Sequence, residues 1–373
     1  MHFETLGITR LAGQTGLDRL GIPCVAAIRP NSATVATHQG KGIDEASARI
    51  SAVMEAAEYA LAEVPDVATL TMTANSASLA GYARMSVAHL MPHTWTLDEE
   101  MPLDWLQGEA IGDPFPVLVP AEAIVLGRAP RQLIGISQST NGLAAGTSRD
   151  GALLHALCEL IERDAVCLWG FKSDAAAHAT AVAPEAFADA EIDALVRRIA
   201  TAGFRLNIYD QTTNTGVPCI YAVLSPDGRP DRHFDAATGA GCHPVPAIAA
   251  RRAIVEAAQT RISIIAGSRD DIAEADYGGR LSRDVALLTA PGAIATRPAP
   301  TGLGRNTSLL AQLEFVKAGL AKAQLNRIIV VPLGGGRFGI HVLRAFVPGL
   351  EDRLTNKHWR PGPRATAAML GFA

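Results

Sequence analysis

The sequence predicts a mixed α/β fold of the α+β kind, folded as one interwoven domain over residues 1–373. Short strand-like runs are punctuated by Pro/Gly turns that read as antiparallel connections. A glycine turn followed by an alanine-rich helix recurs three times. No shift in composition marks a linker between separable units. The core spans about residues 7–351, with 352–373 as a C-terminal tail.

Composition sets the outer limits. At 373 residues, 48% apolar and 19% charged, the chain is globular and long enough for a sizeable core. A net charge of −4 argues against a protein that lives on nucleic acid or on an anionic membrane surface. The five cysteines (24, 158, 167, 219 and 242) are scattered, which is the pattern of reduced thiols. The first twenty residues carry no secretory apolar segment, and no uninterrupted apolar run is long enough to span a bilayer. A soluble cytoplasmic protein is expected.

In chain order, residues 22–38 read as two strands around the turn Pro30-Asn31-Ser32, followed by Gly40-Lys41-Gly42 and a helix from Asp44 to Glu63 that Pro65 closes. Strands are expected at Ala68–Met72 and Pro116–Pro120, with the Pro-rich stretch between them as loop. Thr147 or Ser148 caps a helix running to Trp169. A surface helix over 183–202 ends at Gly203 and precedes strands Arg205–Tyr209 and Pro218–Leu224, the latter leading into a Pro226-Asp227-Gly228 hairpin turn. Residues 277–306 are irregular. Then come a helix over 308–324, a strand Arg327–Pro332, the turn Gly334-Gly335-Gly336 and a strand Phe338–Val347.

The chemistry lies in the repeat. The first copy, GKGIDEASARISAVMEAAE, carries Glu55 and Glu58; the second, NGLAAGTSRDGALLHALCELIERD, carries Glu159 and Glu162; the third, GAGCHPVPAIAARRAIVEAAQTR, carries Glu256 and Gln259. From Gly42 to Glu55 is thirteen residues, as it is from Gly146 to Glu159; the third copy has two residues inserted. A three-residue step keeps each pair on one helix face, and Ser51, His155 and Arg252, four residues before, extend the same stripe. One such Glu pair is ordinarily a solvated face. Three at matched offsets, on helices otherwise fit for burial, need a partner for their charge.

Packed together, the helices would gather five carboxylates, an amide and the arginines Arg163, Arg252 and Arg261. Mutual repulsion then demands protons or cations, and an all-oxygen set suits Mg2+ rather than zinc. The glycine turns before the helices, with Lys41 beside the first, read as anion-binding N-termini. Together these point to a magnesium–nucleotide site. Structural duplication with buried ion pairs is the competing explanation. There is no G-x-x-x-x-G-K-[ST] loop, because Gly42 follows Lys41. Gly334 to Gly336 reads as a hairpin turn, Cys158 as core, and His243 has no identifiable partner in the sequence.

The motif Ser51, Glu55, Glu58, the run Asn141-Gly142-Leu143-Ala144 with Glu159, Glu162 and Arg163, and the set Arg252, Glu256, Gln259, Arg261 together resemble the YcaO family. The resemblance extends from the opening GITRLAGQTGLDRLGIPCVAAIRP to Pro348-Gly349-Leu350-Glu351. It implies internally repeated glycine-turn/helix units packed on largely antiparallel sheets, and an ATP- and Mg2+-dependent enzyme that activates a peptide backbone amide. By the same resemblance Glu55, Glu58, Glu159, Glu162 and Glu256 are Mg2+ ligands, and Glu159, Glu162 and Arg261 stand at the chemical step. Ser51, Asn141, Arg163, Arg252 and Gln259 would contact the nucleotide, with Arg10 as a further candidate.

Azoline-forming members of the family often end in a proline-rich tail, whereas this chain ends PGPRATAAMLGFA. Its opening stretch looks more like the members that work with a TfuA-type partner, for which thioamide formation is the usual inference. The expectation is therefore thioamidation of a ribosomally made peptide or a protein, by a homodimer assisted by a TfuA-like protein. An azoline-forming cyclodehydratase, a non-catalytic accessory factor for a sulfur-transfer enzyme such as a methylthiotransferase, and a small-molecule ligase or kinase are the alternatives.

Overall fold

The structure, a computed structural model, describes residues 3–127, 135–228, 230, 232, 235–267, 280, 281, 283–289 and 296–372. The chain opens with β1 (Arg10–Gly13), β2 (Cys24–Ile28) and β3 (Thr37–Lys41), an antiparallel sheet in that order, and then α1 (Glu45–Glu63). Asp44 caps α1 through a reciprocal capping box with Ser47. There follow β4 (Thr69–Thr73), α2 (Ala74–Leu79), β5 (Ala83–Arg84), β6 (Pro102–Ala110), β7 (Pro116–Pro120) and β8 (Leu143–Gly146). Ser148 caps α3 (Arg149–Trp169), which is followed by α4 (Asp174–His178) and α5 (Ala190–Thr201).

A second antiparallel sheet, in the order β11-β10-β9, comprises β9 (Phe204–Asp210), β10 (Cys219–Pro226) and β11 (Ala237–Cys242); it leads into α6 (Pro246–Ala266). After α7 (Arg283–Leu288) and α8 (Leu309–Lys322), strands β12 (Ile329–Gly334) and β13 (His341–Phe346) return to the large sheet, ordered β5-β7-β6-β12-β13-β8 with β4 also on β6. Short α9 (Pro363–Met369) follows. The fold is mixed α/β on mostly antiparallel sheets; the β5–β7 pair is parallel.

Two expectations change. The Pro-rich stretch read as loop holds β6, a nine-residue strand, and α2. The local pattern of β6 is obscured by Pro102, Asp104 and Gly108, and its identity comes from pairing with β4 and β12 on one side and β7 on the other. At Pro226-Asp227-Gly228 the strand itself runs to Pro226, and β10 reaches its neighbour β11 through a connection longer than a tight turn. Of the irregular stretch 277–306, residues 277–279, 282 and 290–295 lie outside the described residues.

The segment after Glu351 is docked. Asp164, fully buried on α3, accepts from Arg364 Nε at 2.9 Å and Nη2 at 2.7 Å and from the Glu351 N–H at 3.0 Å. Glu351 in turn accepts from Trp359 Nε1 at 2.9 Å and Ala365 N–H at 3.0 Å.

The three repeated units are β3–α1, β8–α3 and β11–α6. Each strand lies at the end of its sheet, and each helix packs on its own strand. Each helix also reaches a strand of another unit: α1 touches β8, α3 touches β11 and α6 touches β3. The units thus close into a ring of approximate threefold pattern. Glycine makes this possible. A Cβ on Gly40 would overlap backbone of Ala48 and Ala52, one on Gly146 that of Ala152, and one on Gly239 that of Ala253 and Ala257. These glycines let helix backbone lie directly on strand backbone.

Candidate functional site

The ring encloses a cleft of about 1140 Å³. Its lining includes Ser51, Glu55, Glu58, His155, Glu159, Glu162, Arg163, Arg252, Glu256 and Gln259, so stripes from all three repeats meet there, with Lys41 among them. Buried alanine, with leucine in α1 and α3 and isoleucine in α6, holds the opposite faces of the three helices in the core, which turns the polar stripes toward the cleft.

The open strand edges orient the side chains. In the β8–β13 register the Ala145 N–H points away from β13, and it donates to Glu58 Oε1 at 2.7 Å. Ala240 N–H, on the outer edge of β11, donates to Glu256 Oε1 at 3.4 Å. On β3 the Gln39 carbonyl accepts from Gln259 Nε2. Arg252 Nη1 donates to the Cys242 carbonyl at 3.3 Å. Lys41 Nζ donates to Glu256 Oε2 at 2.7 Å and to Gln259 Oε1 at 2.9 Å.

Charge crowding follows from this placement. The walls of the cleft raise Glu159 to about 8, with Glu162 and Glu256 adding and Arg163 and Arg344 opposing. Burial, Glu159 and Glu55 lift Glu58 well above the ordinary carboxylate range despite its bond from Ala145. Glu162 is raised by burial and by Glu256. Burial acts on Glu256 in the same sense, but Lys41 and Arg163 outweigh it and hold Glu256 ionised. His155 faces the cleft, where the surrounding protein, Arg252 and Lys41 keep it neutral, near 3.

Other expected residues lie elsewhere. Arg10 is exposed on β1 and is not part of the lining. Arg261 is committed to Asp18, through Nε at 2.9 Å and Nη2 at 3.2 Å, and lies 4.4 Å over the Phe204 ring; it too is outside the lining. Asn141 is buried beside the lining residue Thr140, and its Oδ1 has no hydrogen-bond partner. Of the glycines expected to form anion-binding turns, Gly40, Gly146, Gly239 and Gly241 sit in strands and Gly42 directly after β3; all pack closely on the following helices, and the N-terminus of α1 is occupied by its own cap.

Sequence reasoning missed Arg344. It is 3% exposed on β13, donates to the carbonyl of Ser139 and, at 3.2 Å, to Ser139 Oγ, and faces Glu159. A lone arginine within the apolar run of Val342 to Phe346 was the available signal, since a buried charge needs a reason.

The residues fit a hard divalent cation. The donors are carboxylate oxygens; burial raises the proton affinity of Glu58 and Glu159, and an internal ammonium already holds Glu256 ionised. Among the described residues no three His, Cys, Asp or Glu side chains are gathered closely enough to hold a metal alone. Mg2+ is a cation that prefers carboxylate oxygens and keeps water and phosphate oxygens in its coordination shell. Glu55, Glu58, Glu159, Glu162 and Glu256 are the side chains that would hold it. The five cysteines are all free and buried, and no described helix is long and apolar enough to cross a membrane.

Comparison with known proteins agrees with this geometry. The chain is 37% identical to an uncharacterized protein of the tfuA 3′ region of Rhizobium leguminosarum bv. trifolii, covering 99% of this chain and 90% of that protein. Among solved structures, YcaO from Methanopyrus kandleri bound with AMPPCP and Mg2+ superposes with a TM-score of 0.74 at 23% identity, covering 97% of this chain and 91% of that one. A heterocyclase in complex with substrate and cofactor superposes at 0.77 with 18% identity; it covers 98% of this chain, which spans 52% of the heterocyclase. The family model described as YcaO cyclodehydratase, ATP- and Mg2+-binding, matches residues 39–351, from the end of the first sheet to the last buried glutamate, and the chain belongs to this family.

Proposed function

We propose that this protein activates a backbone amide of a ribosomally made peptide or a protein by phosphorylating its oxygen, and that a sulfur nucleophile then replaces that oxygen to give a thioamide. The observation that carries the first half is the convergence of Glu55, Glu58, Glu159, Glu162 and Glu256, from three separate helices, on one cleft. Thioamide rather than ring formation is favoured by the 37% identical relative from a tfuA 3′ region. A TfuA-type protein is the proposed partner for sulfur delivery, and a homodimer the proposed assembly.

An amide oxygen is a poor leaving group, and phosphorylation makes it a good one. Bound ATP with Mg2+ would supply the phosphoryl group and neutralise its charge. The carboxylates would fix the metal, while Arg163 and Arg252, which line the same cleft, would stabilise charge developing on the transferring group. Ser51 and Gln259 would position the nucleotide. Neutral His155 can offer a hydrogen bond at the cleft wall. In balance, the amide oxygen takes the phosphoryl group and ADP departs; hydrosulfide then adds to the carbon and phosphate leaves with the original oxygen.

The test is mass spectrometry of a peptide encoded beside the gene, incubated with the protein, its TfuA-type neighbour, ATP, Mg2+ and sulfide. Exchange of oxygen for sulfur is the expected result. Loss of water would identify a ring-forming enzyme instead, and absence of any ATP turnover with peptide and partner present would overturn the proposal.

A further inference from the structure

Two of the three repeats place a second glutamate on the stripe, Glu58 and Glu162, whereas the third places Gln259. The structure gives this difference a physical reason. Gln259 donates through Nε2 to the Gln39 carbonyl, which leaves Oε1 facing Lys41 Nζ at 2.9 Å. The same ammonium lies 2.7 Å from Glu256 Oε2. A neutral amide in this place holds the lysine by one oxygen and adds no further negative charge.

Lys41 stands at the end of β3, at the mouth of the first repeat, and lines the cleft with Glu55, Glu162 and Glu256. Both partners of the ion pair remain partly open, with side chains 26% and 28% exposed. A lysine is a single, well-hydrated charge on a flexible stem, so it can leave a carboxylate without breaking a bidentate geometry.

We propose that Lys41 and the divalent cation compete for Glu256, the ammonium acting as an internal counter-ion that a metal arriving with a polyphosphate displaces. The inference rests on the reading of this cleft as a magnesium–nucleotide site. Metal alone must evict Lys41 from Glu256 and leave the ammonium without its ion pair, held only by the neutral Gln259 oxygen. Metal with nucleotide offers the released ammonium a phosphate oxygen in exchange. The device makes metal loading conditional on nucleotide, and it keeps the carboxylates from capturing a bare cation.

The test uses Mn2+ as the probe, read by electron paramagnetic resonance on the full chain. Lys41→Met keeps the length of the stem and removes the charge. We expect it to bind Mn2+ alone about tenfold more tightly than the unmodified protein and to bind Mn2+ with a non-hydrolysable ATP analogue more weakly. These opposite shifts would not arise from loss of a merely structural ion pair. Lys41→Gln serves as a second variant should circular dichroism show that Lys41→Met is misfolded. Unchanged or weaker Mn2+ binding in the folded variant overturns the competition. If the unmodified protein binds no Mn2+ even with nucleotide, the site reading itself falls.

Discussion

At the scale of single residues, function and stability pull in opposite directions. Glu159 is held protonated up to about pH 8 by burial, with Glu162 and Glu256 adding, so replacing it with glutamine removes the cost of ionising a buried carboxylate together with a proposed metal ligand. Glu159→Gln should lower ATP turnover on the order of 100-fold. Its thermal midpoint, measured without metal or nucleotide at pH 8, should rise; a fall in both would mean that the carboxylate is structural. Arg261 should behave in the reverse manner. Its guanidinium pairs with nearly buried Asp18, so Arg261→Met should cost about 2 kcal/mol in urea denaturation. Nucleotide affinity, measured by calorimetry, should scarcely change. The stripe residues Ser51, Glu55, Glu58, Glu159, Glu162, Arg252, Glu256 and Gln259 were legible because helical spacing states which side chains share a face. Arg344 was not, since the strand pattern around it is apolar and its partner Ser139 is distant in sequence.

At the scale of elements, the repeated unit is a packing device before it is a binding device. Gly40 and Gly239 are sites where a methyl group would collide with helix backbone. Gly40→Ala and Gly239→Ala should each cost about 3 kcal/mol, whereas Gly16→Ala, with open space around it, should be close to neutral. Equilibrium urea unfolding of the three variants reads the difference. A small effect at Gly40 would mean that α1 can slide on β3 without loss. The helices α1, α3 and α8 were readable from their caps and periods, because those signals are local. Strand β6 was not, because an irregular run with Pro102 and Gly108 becomes a strand only through neighbours that lie far along the chain.

At the scale of the whole molecule, the pH dependence of stability should record the ring of charges. An unfolded glutamate loses its proton near its ordinary value of 4.5, while folded Glu159 keeps it to about 8. Glu58 and Glu162 are shifted in the same direction. Their contribution is complete at low pH and is lost as pH rises toward 8. Burial with Arg29 lowers His38 to about 4, and burial with Arg252 lowers His243 to about 3, from an ordinary 6.5. Those groups lose stability as pH falls below 6.5, so the two sets oppose one another there. Above 6.5 the carboxylates act unopposed. The thermal midpoint of the metal-free protein should therefore decline between pH 6.5 and 8, and Mg2+ with an ATP analogue should stabilise more strongly at the upper end, because ligation favours the ionised form. A midpoint flat over that window would contradict the crowding.

The sequence by itself determined that three helices carry matched polar stripes, that the charges on them need protons, cations or ion-pair partners, and that the family motifs stand in order along the chain. Those features are written in local spacing and residue type. Only the tertiary structure decided that the repeats close a ring, that the glycines serve helix contact rather than phosphate, and that Arg261 serves Asp18. It alone placed Lys41 against Glu256. Each of these depends on which strand edges are left open and on which helix crosses them; the glycine contacts lie within one repeat, but the pairs Lys41–Glu256 and Arg261–Asp18 join residues far apart along the chain.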